Sequence, residues 1–282
     1  MCKSYQLLHF KLRQNLAFHK TTTSKQRVSI ILNKISLGKS MQLVGFNNLK
    51  KALSFSFYDF VIAPTEEERL SYVEYINTNY SAERMSELLK KIVNIIEAEI
   101  LSTSLQNYEP YGASSMILLG DIKGSGVDMH LDKSHITAHT YPDFENENGI
   151  LSFRVDIELS TCGEITPLSS LNAIFDFFDT DIVTIDYNVR GFTRNAKGEH
   201  VYLDHELNSI QEYIDADILK SYKTKDLILQ NDNIWQLKLL RTDMEEEEYF
   251  SPQTKLSDDA KHNYIKALNA EMRSIFNGWR SL

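Results

Sequence analysis

Residues 152–159 read Ser152-Phe153-Arg154-Val155-Asp156-Ile157-Glu158-Leu159, a strict alternation of polar and apolar side chains. In an extended chain, successive side chains point to opposite faces. Phe153, Val155, Ile157 and Leu159 therefore share one face, and Ser152, Arg154, Asp156 and Glu158 share the other. A strand buried on one side and polar on the other belongs to an antiparallel sheet with a layer packed on one face.

The flanking sequence extends this pattern. Phe55–Ile62 is aromatic-rich and β-like, Met116–Leu119 reads as a buried strand, and Ile182–Val189 and Ile234–Leu240 are further strand candidates. Thr65 with Glu68 forms a capping box that opens a helix to about Tyr80. Ser81 opens another, with Met85, Leu88, Leu89, Ile92, Ile95 and Ile96 at helical spacing. Pro167 suits the first position of a helix carrying Leu168, Leu171, Ile174, Phe175 and Phe178. Ser257 caps a last helix that stops near Asn277–Gly278. Strands and helices mix without regular βαβ spacing. The expected fold is α+β: a two-layer α/β sandwich of an antiparallel sheet with helices packed on one face.

Composition narrows the function. The chain has 282 residues, 30 Lys+Arg, 39 Asp+Glu and a formal net charge of −9. Two Cys exclude a disulfide scaffold or a Cys-rich zinc module. The acidic balance argues against a general nucleic-acid binder, and no apolar run approaches a membrane span. The charge is unevenly placed. Residues 1–40 hold eight Lys/Arg and no acid, so the rest holds 22 (30 less eight) against all 39 acids, a net of −17. The head reads as a disordered basic arm, a transit peptide, or an upstream extension before Met41. The last is preferred, because ordered patterning starts there. The domain expected to act is 41–282.

Chemistry-bearing residues concentrate in the middle. His130, His135 and His139 fall within ten positions, and Cys162 is the one Cys outside the head. The ordinary readings are half-buried strand histidines and a small core thiol. Three imidazoles could hold zinc, although no H-E-x-x-H motif is present. A Cys162–His139 dyad could serve acyl transfer, although no local protease signature surrounds Cys162. Gly120, Gly124 and Gly126 lack the Gly-Lys-Ser/Thr of a phosphate loop, and Glu245–Glu248 reads as a solvated face.

Taken together, Lys133-Ser134-His135-Ile136-Thr137-Ala138-His139-Thr140-Tyr141-Pro142 followed by Ser160-Thr161-Cys162-Gly163 resembles the bacterial S-adenosylmethionine decarboxylases. Gly45–Leu49, Leu53-Ser54-Phe55, Tyr108–Ser114, Asp181–Arg194 and Asp204–Gln211 are similar to segments of the longer bacterial form. The resemblance covers about residues 41–280. It implies a pyruvoyl-dependent proenzyme that cuts its own Lys133–Ser134 bond into a β chain, 1–133, and an α chain, 134–282. Ser134 would become the pyruvoyl group that condenses with the substrate amine and acts as electron sink. The products would be decarboxylated S-adenosylmethionine and CO₂, the former feeding spermidine synthesis.

By the same resemblance His139 is the proton acceptor in processing, Cys162 the proton donor in decarboxylation and Ser114 a processing helper. Tyr108 would stack on adenine and Asp143 would bind the ribose, with a side chain one methylene shorter than the family's Glu. The resemblance further implies Mg²⁺ as activator, an oligomer of cleaved chains, no nucleic-acid or membrane partner and a cytoplasmic location. No metal ligands are identifiable in the sequence. A His-ligated metallohydrolase and a non-catalytic homologue acting as a regulatory or binding subunit stand as alternatives. Positions 134 and 139 differ by an odd number, so a regular strand would turn them to opposite faces.

Overall fold

The computed structural model describes residues 48–121, 134–163, 165–178, 180–251 and 254–278. The basic head, Gly45–Asn47, Gly124, Gly126, His130 and Lys133 lie outside them.

One antiparallel sheet organises these residues. Its strands are β1 (Lys50–Ile62), β2 (Ala98–Asn107), β3 (Ala113–Asp121), β4 (His135–Asp143), β5 (Ile150–Cys162), β6 (Ile182–Arg190), β9 (Tyr222–Leu229) and β10 (Ile234–Arg241). They lie in the order β2-β3-β4-β5-β1-β6-β10-β9, and a separate two-stranded ribbon joins β7 (Thr193–Arg194) to β8 (His200–Val201).

The alternation of 152–159 sets the two faces. Phe153, Val155, Ile157 and Leu159 are buried with Leu53, Phe55 and Phe57 of β1, Ile136 and Ala138 of β4, and Ile185 and Tyr187 of β6. Helices α1 (Glu66–Asn79) and α2 (Ala82–Ile95) close this core with Tyr72, Ile76, Met85, Leu88, Leu89 and Ile92. The expected caps are present. Thr65 and Glu68 form a reciprocal capping box, and the Ser81 and Ser257 side chains cap their helices. The stretch from Pro167 is a 3₁₀ turn leading into a short helix α3 (Leu171–Phe175), rather than one continuous helix. A four-residue α4 (Ala216–Leu219) precedes β9.

The antiparallel α+β class holds, with α1 and α2 on one face. The last helix, α5 (Asp258–Asn277), packs on the opposite face at one end. There Ile265, Leu268 and Met272 meet Phe60, Ile62, Ile150 and Ile182. Gly278 ends α5 at φ +67°, a left-handed conformation that an L side chain disfavours. No helix among the described residues is long and apolar enough to cross a membrane.

Candidate active site

The polar face of the sheet carries the residues singled out in the sequence. β5 and β4 pair with His135 opposite Ser160 and His139 opposite Asp156. β3 pairs with β4 so that Ser114 faces His139. β1 places Lys50 opposite Cys162 and Ala52 opposite Ser160. Ser114, His135, His139, Asp156, Ser160 and Cys162 therefore share one face, away from α1 and α2.

Two clusters form along β4. In the first, the Ser134 side chain is fully buried, directly before the first residue of β4. The Leu119 N–H donates to its carbonyl at 3.0 Å, so Ser134 continues the β3–β4 ladder. Its Oγ accepts a hydrogen bond from the Cys162 N–H at 3.2 Å. Residues 28 positions apart are thus joined where β5 ends. Gly163 turns the chain immediately after Cys162 at φ +69°, and its N–H donates to the Leu49 carbonyl at 3.0 Å. The Cys162 side chain is half-buried, which gives a bound molecule access to the thiol.

In the second cluster, the Ser114 Oγ lies 2.7 Å from His139 Nδ1, and the Tyr108 hydroxyl donates to the Ser114 Oγ at 3.1 Å. Tyr108, Ser114 and His139 form one hydrogen-bonded line. Asp156, opposite His139, is engaged by Arg154, whose Nη2 lies 3.1 Å from its carboxylate. The Arg154 guanidinium also stacks over Tyr141 at 4.3 Å.

The clusters do not meet within one chain. Ser134 and His139 stand five positions apart along the chain, about 16 Å at roughly 3.3 Å per residue. A Ser and a His side chain cannot close that gap. Asp143 joins neither cluster. It stands exposed at the far end of β4, near Glu271 of α5, whose carboxyl is raised by burial and by the Asp143 charge. Pro142 is tolerated because the β3–β4 ladder ends at His139, so the missing N–H falls beyond it.

Sequence reasoning missed a network behind the first cluster. Lys51, next to Lys50, is 1% exposed and its Nζ contacts Asp204 at 2.6 Å. The other Asp204 oxygen lies 2.7 Å from His205 Nδ1, and His205 Nε2 lies 3.3 Å from the Tyr187 hydroxyl. Burial alone would raise the Asp204 carboxyl. The His205 hydrogen bond and the Lys51 charge outweigh it and hold the group below its usual range. Burial pushes the Tyr187 phenol well above its ordinary value. One signal was available: Lys51 falls in register with Leu53, Phe55 and Phe57, where a charge demands a partner.

Among the described residues, no group of three His, Cys, Asp or Glu could hold a metal ion. His135 and His139 lie four strand residues apart, about 13 Å, too far to share one zinc.

Comparison with known proteins adds the family. The sequence profile described as S-adenosylmethionine decarboxylase matches residues 73–191. The S-adenosylmethionine decarboxylase proenzyme of Pseudomonas aeruginosa (strain UCBPP-PA14) is 43% identical over 253 residues, 84% of this chain and 96% of that protein. This chain belongs to the S-adenosylmethionine decarboxylase family. The proenzyme of Chromohalobacter salexigens is 42% identical over 255 residues, 84% of this chain and 97% of its own. That of Alkaliphilus oremlandii is 40% identical over 265 residues, 86% and 98% respectively. For an S-adenosylmethionine decarboxylase family member, the pairing of a buried Ser with a Cys backbone at Ser134 and Cys162 is the feature to interpret.

Proposed function

We propose that this chain is a self-processing, pyruvoyl-dependent decarboxylase of S-adenosylmethionine. The observation that carries the reading is the buried Ser134 hydroxyl held at 3.2 Å by the Cys162 N–H. It sets the residue with the right nucleophile beside the residue with the right acid.

Processing uses the chain's own atoms. The Ser134 Oγ attacks the preceding carbonyl, and the amide becomes an ester. A base removes the Ser134 α-proton, the ester oxygen leaves, and the first chain departs with a C-terminal carboxylate. The remaining dehydroalanine tautomerises to an imine, which water hydrolyses to pyruvoyl with loss of ammonia. Ala in place of Ser has no nucleophile, so Ser134→Ala should remain one 282-residue chain on a denaturing gel.

The pyruvoyl group supplies an electrophilic carbonyl that takes up the electron pair released with CO₂. The protein's part is to hold the substrate and return a proton. A thiol with an ordinary pKa near 8.5 is protonated at neutral pH, and the half-buried Cys162 can deliver that proton to the substrate α-carbon. Tyr108, 49% exposed, offers an aromatic face to adenine or the sulfonium while its hydroxyl bonds Ser114. Asp143 is the candidate ribose ligand.

His139 is the candidate base, with Ser114 holding its ring. Since it lies about 16 Å along the strand from Ser134 of its own chain, it serves Ser134 of a second copy. The working enzyme is then an assembly of paired, cleaved chains, 1–133 and 134–282. The active domain is 41–282, and the amine product feeds spermidine synthesis. No step is assigned to Mg²⁺.

A further inference from the structure

Ser160 stands in β5 two residues before Cys162 and so projects from the same face of the sheet. Its register partners are His135 on β4 and Ala52 on β1. It therefore lies within one residue step of Ser134. It is 6% exposed, and among the described residues its hydroxyl has no hydrogen-bond partner. Buried hydroxyls nearly always have one, and those that do not call for an explanation. On the face of the Cys162 thiol and one residue step from Ser134, such a hydroxyl is a donor for a bound group.

We propose that Ser160 is a further catalytic residue, donating a hydrogen bond to the α-carboxylate of bound S-adenosylmethionine. This rests on the function proposed above. Cys162 would protonate the substrate α-carbon, and the carboxylate leaves that same carbon. The acceptor nearest a donor two residues from Cys162 is therefore the carboxylate. The other nearby groups do not match: the amine is committed to position 134, and the sulfonium has neither a proton nor a free acceptor.

A neutral hydroxyl also suits the chemistry. It orients the C–C bond that must break without neutralising the charge about to be lost, so it does not over-stabilise the bound substrate. The electron pair of that bond passes to the electrophilic group at position 134 and returns to the α-carbon with the Cys162 proton. Ser160 keeps its own proton throughout. Lys50, opposite Cys162, and its own partner Arg190 are exposed cations at strand ends on this face. A cation paired directly with the carboxylate would stabilise the charge that decarboxylation removes and so slow its loss.

The test compares two ligands that differ by the carboxylate: S-adenosylmethionine and its decarboxylated amine. Binding is measured by calorimetry on processed protein in a Cys162→Ala background, where turnover is slow, and cleavage is read on a denaturing gel. Ser160→Ala should weaken S-adenosylmethionine about ten- to a hundredfold, as expected for a lost bond to a charged group, and leave the amine within about twofold. Ser160→Thr and Ser160→Val share a shape and differ by the hydroxyl; Thr should keep the preference and Val should lose it. This pair decides the matter should the alanine variant fail to process. Equal changes for both ligands, or no change, would overturn the proposal. So would selective loss in Lys50→Ala with Ser160→Val unchanged. A wild-type chain that never cleaves would instead defeat the reading of function.

Discussion

At the scale of single residues, Cys162 has two separable parts. Its backbone N–H holds the Ser134 hydroxyl, and its thiol projects from the sheet face. Replacing the side chain leaves the N–H in place. Cys162→Ala is therefore expected to cleave itself while losing about 10²–10⁴-fold in decarboxylation rate, the usual contribution of a positioned acid. A gel and a CO₂-release assay on the same preparation check both halves. Equal turnover would remove Cys162 as the donor. As candidates, Ser134, His139 and Cys162 could be picked out from their neighbours in the chain. Ser160 was not, because a strand Ser acquires meaning only when its burial and missing partner are known.

At the scale of elements, the strand carrying Lys51 is fastened from behind the first cluster. The Lys51–Asp204 pair ties the start of β1, opposite Thr161, to the segment after β8. Removing one partner leaves a buried charge uncompensated, so Lys51→Met should cost about 3–5 kcal/mol. Lys51→Met with Asp204→Asn should recover much of that, since a neutral interior replaces a broken pair. The pH dependence has a definite sign. The folded-state pKa of Asp204 is depressed, so its stabilisation is present above the unfolded value near 3.9 and is lost as pH falls through the folded value. Lys51→Met raises the folded value, so its acid unfolding should begin at higher pH. Thermal melts across pH 2–7 test this; superimposable acid limbs would remove Lys51 as the support of Asp204.

Strands buried on one side were readable by their alternation, as in β5. Strands β2 and β9 were not, because these sheet edges are exposed on both faces for most of their length and carry no one-sided pattern. Exposed Ile100, Leu101 and Leu105 on β2 and Leu227, Ile228 and Leu229 on β9 show how far an edge departs from it. The packing of α5 on the opposite face was hidden for a different reason. An amphipathic helix announces a buried stripe but not which sheet face will receive it.

At the scale of the molecule, two half-sites lie about 16 Å apart along β4. Under the proposed function, His139 serves the Ser134 of a second copy. Co-expression of His139→Ala with Ser134→Ala tests this. The His139→Ala chain keeps its nucleophile and should cleave only beside the Ser134→Ala chain, which keeps the base. Cleavage of His139→Ala alone at the wild-type rate would remove the shared site. The central claim is self-cleavage at the Lys133–Ser134 bond, and the most direct measurement is intact mass spectrometry of the purified wild-type protein under denaturing conditions. The account predicts two chains, 1–133 and 134–282, the second beginning with a carbonyl that reacts with hydroxylamine and resists sequential degradation. A single intact chain of 282 residues, in protein that is folded and has been incubated at neutral pH, would contradict it.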